Sequence, residues 1–75
     1  MLIHWLSINI DNEQELNAVL EFVKDWEERK RAINDYYWSE IMFTIGFVDI
    51  RYAIQFAAFI GREFGKDIEY HDEEV

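Results

Sequence analysis

The sequence predicts a small single domain of the α+β or α/β class, with the element order β-α-β-α-β over residues 1–75. Three observations support this fold class. Two segments alternate between apolar and polar residues, two longer segments carry apolar residues at helical spacing, and a third, short alternating segment follows the second helix. We therefore expect a three-stranded sheet with both helices on one of its faces.

The first predicted strand covers residues 2–10. One face carries His4 together with Leu2, Leu6, Ile8 and Ile10, and the other carries Ile3, Trp5, Ser7 and Asn9. Asp11 or Asn12 then caps a helix, because an acceptor side chain follows three positions after either residue.

The first helix is predicted over residues 13–34, where apolar residues recur at spacings of three, four and seven. They are Leu16, Val19, Leu20, Val23, Trp26 and Ile33. The basic triplet at residues 29–31 is interpreted as helix-end chemistry, because positive charge complements the exposed carbonyl groups of a helix terminus.

The second predicted strand is a long one over residues 36–48. One face carries Ile41, Phe43, Ile45 and Phe47, and the other carries Trp38, Glu40, Met42, Thr44 and Gly46. Asp49 then caps a second helix that runs to Phe64, where Gly65 supplies the left-handed terminal residue. A short edge strand over residues 66–71 follows, and residues 71–75 are expected to form a frayed acidic tail.

The arrangement of the sheet stays open between two alternatives, a right-handed parallel crossover and a mixed sheet whose last strand is antiparallel. Strict alternation argues against strands covered on both faces, so both helices are placed on one face. The second face then presents Ile3, Trp5, Trp38, Met42 and Thr44.

The chain carries more aromatic surface than a domain of this length is expected to bury. A core below roughly 70 to 80 residues rarely supplies more than about 3 to 5 kcal/mol, and with no Cys there is no disulfide to add to it. We predict a homodimer, with interface residues on the second sheet face or the second helix: Trp5, Trp38, Met42, Tyr52, Phe56 and Phe59. The alternative is that these rings complete a monomer core.

Charge and composition exclude several function classes. The formal net charge of −9 argues against direct nucleic-acid binding. No apolar run approaches the roughly 18 residues of a membrane span. No basic region precedes the first apolar run, so no signal peptide is predicted and a cytoplasmic location is expected.

Candidate catalytic residues are few, and we predict neither an enzyme nor a metal or cofactor site. His4 shares an apolar strand face, which is typical of a core histidine. His71 stands among Asp67, Glu69, Asp72 and Glu73, but this spacing matches no calcium loop or helical zinc motif. The hydroxyl and glycine residues form neither a nucleophile elbow nor a phosphate-binding loop.

The acidic residues are better organised. Glu21, Asp25 and Glu28 follow one another at spacings of four and three on the polar side of the first helix, and Asp35, Glu40 and the acidic tail at residues 72–74 extend this set. One explanation is solubility. The other is an acidic ridge that imitates phosphates and binds the basic groove of a nucleic-acid-binding protein.

In size and acidity, the chain resembles the small acidic proteins with which bacteriophages and other mobile elements block host nucleases and surveillance complexes. The resemblance implies a non-enzymatic inhibitor or regulator that binds a protein partner. The alternative hypothesis is a homodimeric regulatory module in which Trp5 and Trp38 stack on a small ligand at the sheet face.

Overall fold

A computed structural model of the chain describes the backbone of residues 1–30 and 32–75 and the side chains of residues 1–26 and 32–75. Within these residues the elements are β1 (Leu2–Asn9), α1 (Glu13–Lys30), β2 (Ile33–Trp38), β3 (Met42–Phe47), α2 (Ile50–Phe64) and β4 (Glu69–Glu74). The basic triplet predicted at residues 29–31 lies outside the described side chains.

The strands described in this structure form one four-stranded sheet in the order β2-β3-β1-β4. All neighbouring pairs are antiparallel, so the chain is an α+β domain and the prediction of three strands is corrected to four. This order and connectivity form the split β-α-β arrangement called ferredoxin-like. Folds of this kind host unrelated functions, so the topology alone assigns none.

The extra strand comes from the segment predicted as one long strand over residues 36–48. The chain instead forms a hairpin, in which Ser39 N–H donates to Met42 O at 2.8 Å and Trp38 pairs with Phe43. Ser39, Glu40 and Ile41 connect the two strands, and Ser39 Oγ accepts from Ile41 N–H at 3.3 Å. Ser39 favours a turn, but without Gly, Pro or Asn beside it the sequence signal for a turn is weak.

Both helices pack on the same face of the sheet, as predicted. One buried cluster joins both helices to the two central strands. Its members include Val19, Val23 and Trp26 of α1, Ala53, Phe56 and Ile60 of α2, and Leu6, Ile8, Phe43, Ile45 and Phe47 of the central strands. The opposite face of the sheet, which carries no helix, is called the open face below.

The helix ends follow local chemistry. Asn12 Oδ1 accepts from Glu15 N–H at 2.9 Å at the start of α1. Lys66 then joins this end to the segment after α2, because its Nζ lies 2.6 Å from Asp11 Oδ2 and 2.8 Å from Glu15 Oε1. The hydrogen bonds to Asp11 and Glu15 raise the pKa of Lys66.

The predicted ends of α2 are confirmed. Asp49 Oδ1 accepts from Arg51 N–H at 2.9 Å, and the Arg51 side chain binds both carboxylate oxygens of Asp49. Gly65 adopts φ 63°, in the left-handed region, and donates its N–H to Gly61 O at 3.0 Å.

The predicted frayed tail is corrected by β4. Residues 71–74 continue the strand and pair with β1, and Val75 N–H donates to Met1 O at 2.8 Å. The sequence pattern placed the strand at residues 66–71, whereas β4 covers Glu69–Glu74.

Candidate functional site

The aromatic side of α2 packs against α1. Phe59 stacks on Phe22 with a centroid distance of 3.9 Å and an interplanar angle of 5°. Trp26 of α1 lies edge-on to Tyr52 of α2 at 5.7 Å. Phe56, between these pairs, is 1% exposed. The two helices therefore cover each other's rings.

This packing corrects the prediction that Tyr52, Phe56 and Phe59 form an exposed interface ridge. Phe56 is a core residue, while Tyr52 and Phe59 are half-buried against α1. Phe22 supplies much of the cover, and its omission from the predicted apolar stripe is the reason that α2 appeared to carry surplus aromatic surface.

A shallow groove of about 510 Å³ remains between α1 and α2. Its lining combines aromatic rings with carboxylates: Phe22, Phe59 and Phe64 with Glu21, Asp25 and Glu63, beside Ala18. Glu21, Asp25 and Glu63 are exposed. Carboxylates beside aromatic faces suit a Lys or Arg side chain, whose stem packs on rings while its charge contacts the acids. We call this surface the helix groove.

The structure brings together some of the predicted acidic residues and separates others. Glu21 and Asp25 line the helix groove, whereas the side chain of Glu28 lies outside the described residues. Asp35 pairs with Gly46 in the sheet, and its Oδ1 accepts from Tyr36 N–H at 2.8 Å. Glu40 lies in the hairpin turn and borders the start of α1. Among the predicted acids whose side chains are described, Asp35 and Glu40 therefore lie apart from Glu21 and Asp25.

The predicted tryptophan pair on the sheet face is not assembled. Trp5 lies on the open face and donates its Nε1–H to Glu73 Oε1 at 2.9 Å. Trp38 pairs with the buried Phe43 on the helix-bearing face and stacks on Tyr36 at 6.1 Å. Trp5 is 9% exposed and Trp38 is 51% exposed, so the two rings differ in face and in access.

Tyr37 takes the place predicted for Trp38 beside Trp5. Its ring lies 5.8 Å from the Trp5 ring at an angle of 46°. Met42 pairs with Asn9 at the start of β3 and is 39% exposed. The open face therefore carries a small packed cluster around Trp5 rather than two stacking tryptophans.

A polar cluster joins β1 to β4 on the helix-bearing face. His4 Nδ1 lies 2.8 Å from Asp72 Oδ1 and 3.0 Å from the Tyr70 hydroxyl, which also donates to Asp72. The hydrogen bond from Tyr70, followed by that from His4, lowers the pKa of Asp72, and the same bond to Asp72 raises the pKa of Tyr70. These interactions fasten β4 to β1.

The acidic group around His71 is divided between two faces. His71 pairs with Trp5 and so lies on the open face, whereas Asp72 pairs with His4 on the other face. Within residues 1–30 and 32–75, no three His, Asp or Glu side chains whose positions are described are grouped to hold a metal ion.

Four residues that line the helix groove were not among the predicted site residues: Ala18, Phe22, Glu63 and Phe64. Phe22 had a detectable signal, because Val19, Phe22, Val23 and Trp26 follow the i, i+3, i+4, i+7 spacing of a buried helix face. Glu63 had none, since its place beside Asp25 depends on how the helices cross.

No protein-family model, no curated protein and no solved structure matches the chain. In the part of the chain that the structure describes, neither helix has the length and apolar character needed to cross a membrane.

Proposed function

We propose that this protein is a non-enzymatic interaction protein that binds a Lys- and Arg-rich segment of a partner protein in the helix groove. The observation that carries the proposal is the arrangement of Glu21, Asp25 and Glu63 around the partly exposed rings of Phe22 and Phe59. A basic side chain finds both a carboxylate and an aromatic surface there.

The acids and the rings contribute in different ways. An exposed ion pair contributes only about 0 to 1 kcal/mol, so the carboxylates favour encounter and orientation more than affinity. Burial of aromatic surface contributes roughly 25 cal/mol per Å² to the binding free energy. In the helix groove, the rings of Phe22, Phe59 and Phe64 supply this surface. The net charge of −9 directs a basic partner toward the protein in a salt-dependent way.

The partner class follows from this chemistry. Proteins that bind nucleic acid present Lys and Arg in grooves that receive phosphates. Glu21 and Asp25 are one helical turn apart, so they present two neighbouring carboxylates on Cβ atoms roughly 5 to 6 Å apart. The protein then acts as an inhibitor or regulator that covers the Lys and Arg residues with which such a partner binds nucleic acid, in the manner of an acidic nucleic-acid mimic.

A charge-matched pair of variants tests the proposal. The first variant carries Glu21→Gln, Asp25→Asn and Glu63→Gln, which removes the acids of the helix groove. The control carries Glu13→Gln, Glu40→Gln and Asp67→Asn, which removes the same number of charges from exposed positions outside it. Circular dichroism checks that both variants fold.

The probe is a synthetic amphipathic peptide that presents Arg one helical turn apart beside Leu. Titration calorimetry at roughly 50 and 300 mM salt measures its affinity. We expect the groove variant to bind at least about tenfold more weakly than the control, since it loses the local charges as well as net charge. Equal affinities for the two variants would show that net charge alone attracts the peptide, and would contradict the proposal.

A further inference from the structure

The backbone of β4 presents hydrogen-bonding groups along one edge of the sheet. Met1 and Val75 exchange both of their backbone hydrogen bonds, which makes them a hydrogen-bonded pair of the β1–β4 ladder. Such pairs alternate in an antiparallel ladder. The N–H and C=O groups of Tyr70, Asp72 and Glu74 therefore point away from β1, and all six residues of β4 are exposed.

The side chains of this edge are strongly acidic. Four of the six residues of β4 are Asp or Glu: Glu69, Asp72, Glu73 and Glu74. A second copy pairing here would bring like charges together, which opposes self-association through β4. A strand rich in Lys or Arg would instead meet opposite charges on both faces of the sheet.

The other edge of the sheet differs. At β2, the Asp35 side chain accepts from Tyr36 N–H at 2.8 Å, and residues 33–38 include one acid. The charge that would select a basic strand is therefore concentrated at β4.

An apolar groove of about 380 Å³ lies beside β4, between this strand and α2. Leu6, Ile68 and Tyr70 line its sheet side, and Ile50 and Ile54 line its helix side. Ile54 is 62% exposed, so the groove is open to solvent. A residue paired opposite Tyr70 on an added strand would direct its side chain to this same face. We call this surface the strand groove.

We infer that β4 is a docking edge for an extended, Lys- and Arg-rich segment of a partner protein, which adds as a fifth strand and places one apolar side chain in the strand groove. Main-chain hydrogen bonds to Tyr70, Asp72 and Glu74 supply part of the affinity. The acids of β4 select basic side chains, and Ile50 and Ile54 bind the apolar anchor.

This surface is separate from the helix groove. The residues that line the strand groove and those that line the helix groove have no member in common, and they lie on opposite flanks of α2. The inference therefore goes beyond the proposed function, and either proposal can fail without the other.

The test uses the full chain and a synthetic peptide in which Lys alternates with Val, with one central Leu. Nuclear magnetic resonance follows amide hydrogen exchange at β4 with and without this peptide. We expect exchange to slow at Tyr70, Asp72 and Glu74, whose N–H groups face outward, while Glu69, His71 and Glu73 change little because they already bond to β1.

Two peptide controls separate strand addition from charge attraction. A peptide with Glu in place of every Lys tests the charge. A peptide N-methylated at alternate residues keeps the charge but loses the main-chain donors that would face β4. We expect both to bind at least about tenfold more weakly than the parent peptide. Equal binding of the N-methylated peptide would overturn the strand-addition mode.

A variant pair in α2 tests the apolar anchor. Ile54→Glu places a charge in the strand groove, whereas Gln55→Glu adds the same charge at the neighbouring exposed position, which does not line it. We expect Ile54→Glu to weaken the parent peptide at least about tenfold relative to Gln55→Glu, with both variants folded. Equal affinities would overturn the inference. In the absence of peptide, the Tyr70, Asp72 and Glu74 amides could instead become more protected as the protein concentration rises. That result would indicate pairing with a second copy and would also overturn the inference.

Discussion

Replacing Gly46 with Ala tests the packing of the open face most directly. Gly46 lies on β3 against the side chains of Trp5 and Ile3. A Cβ atom added there meets Cε3 and Cζ3 of Trp5 at 2.8 Å and Cγ2 of Ile3 at 2.9 Å. Carbon atoms in favourable contact lie about 3.5 to 4.0 Å apart, so the ring and the methyl group must both shift.

The size of the effect follows from two opposing contributions. Overpacking of a well-filled site costs about 1 to 3 kcal/mol. Loss of glycine's backbone freedom in the unfolded chain returns roughly 0.4 to 1 kcal/mol. Because Trp5 and Ile3 are both buried, the overpacking dominates, and we expect a net loss of about 1 to 2 kcal/mol in the free energy of unfolding. For a domain of this size, that corresponds to a fall in Tm of about 5 to 15 °C.

Gly61→Ala is the matched control. Gly61 lies inside α2, and an added Cβ meets nothing within 4 Å. This substitution should therefore raise the unfolding free energy by roughly 0.5 to 1 kcal/mol. Thermal and urea unfolding measure both variants, and the Trp5 Nε1 proton resonance reports the hydrogen bond to Glu73. Wild-type stability and an unchanged Trp5 resonance in Gly46→Ala would refute the packing described for the open face.

Three further predictions concern other parts of the molecule. The hydrogen bonds from Arg51 lower the pKa of Asp49 to about 2. Ionisation of Asp49 therefore stabilises the folded protein at any pH above the pKa that this carboxyl has in the unfolded chain, and this stabilisation is lost as the pH falls through about 2. Asp49→Asn keeps a capping oxygen, so urea midpoints should fall less than in wild type between roughly pH 4 and pH 2. Phe22→Ala removes the ring stacked on Phe59 and should lower the unfolding free energy by about 2 to 3 kcal/mol in urea titrations; no change would contradict the helix packing. Trp38→Lys should convert the predicted homodimer to a monomer in light scattering, since the Trp38 side chain is accessible. A wild-type protein that is monomeric at every concentration would contradict the prediction of a homodimer.

The same packing limits which tests of a dimer are informative. Phe59→Glu would place a charge against Phe22 inside the contact between α1 and α2. That variant is expected to unfold rather than to separate two folded copies. A substitution at an exposed position such as Trp38 avoids this ambiguity.

The helix ends could be predicted where a side chain determines them locally. Asp49 and Gly65 bound α2 by capping and by a left-handed backbone, and both act within a few residues. The end of α1 was less predictable. The helix was expected to reach Asn34, and no Gly or Pro in this segment forbids a helix. Ile33 instead begins β2, because these residues pair with β3.

Ser39 alone was too weak a turn signal to predict the hairpin, and the missed turn changed the face of several residues. Alternation assigned Trp38 and Met42 to the same face, which holds only if residues 36–48 form one strand. With a turn at Glu40 and Ile41, Trp38 comes opposite Phe43 and changes face. The predicted two-tryptophan site depended on this parity, and for that reason it is the part of the candidate site that the structure rearranges most.

The excess of apolar surface inferred from composition arises partly because the predicted apolar stripe of α1 left out Phe22. Once Phe22 covers Phe59, the accessible apolar surface beside α2 lies on its two flanks rather than along one ridge. One flank has aromatic rings with carboxylates from both helices, and the other has aliphatic side chains beside the acidic strand β4. Since the two linings share no residue, the losses of peptide affinity at the two grooves should be independent. A groove variant that weakened both peptides equally would show that net charge, rather than either surface, determines binding.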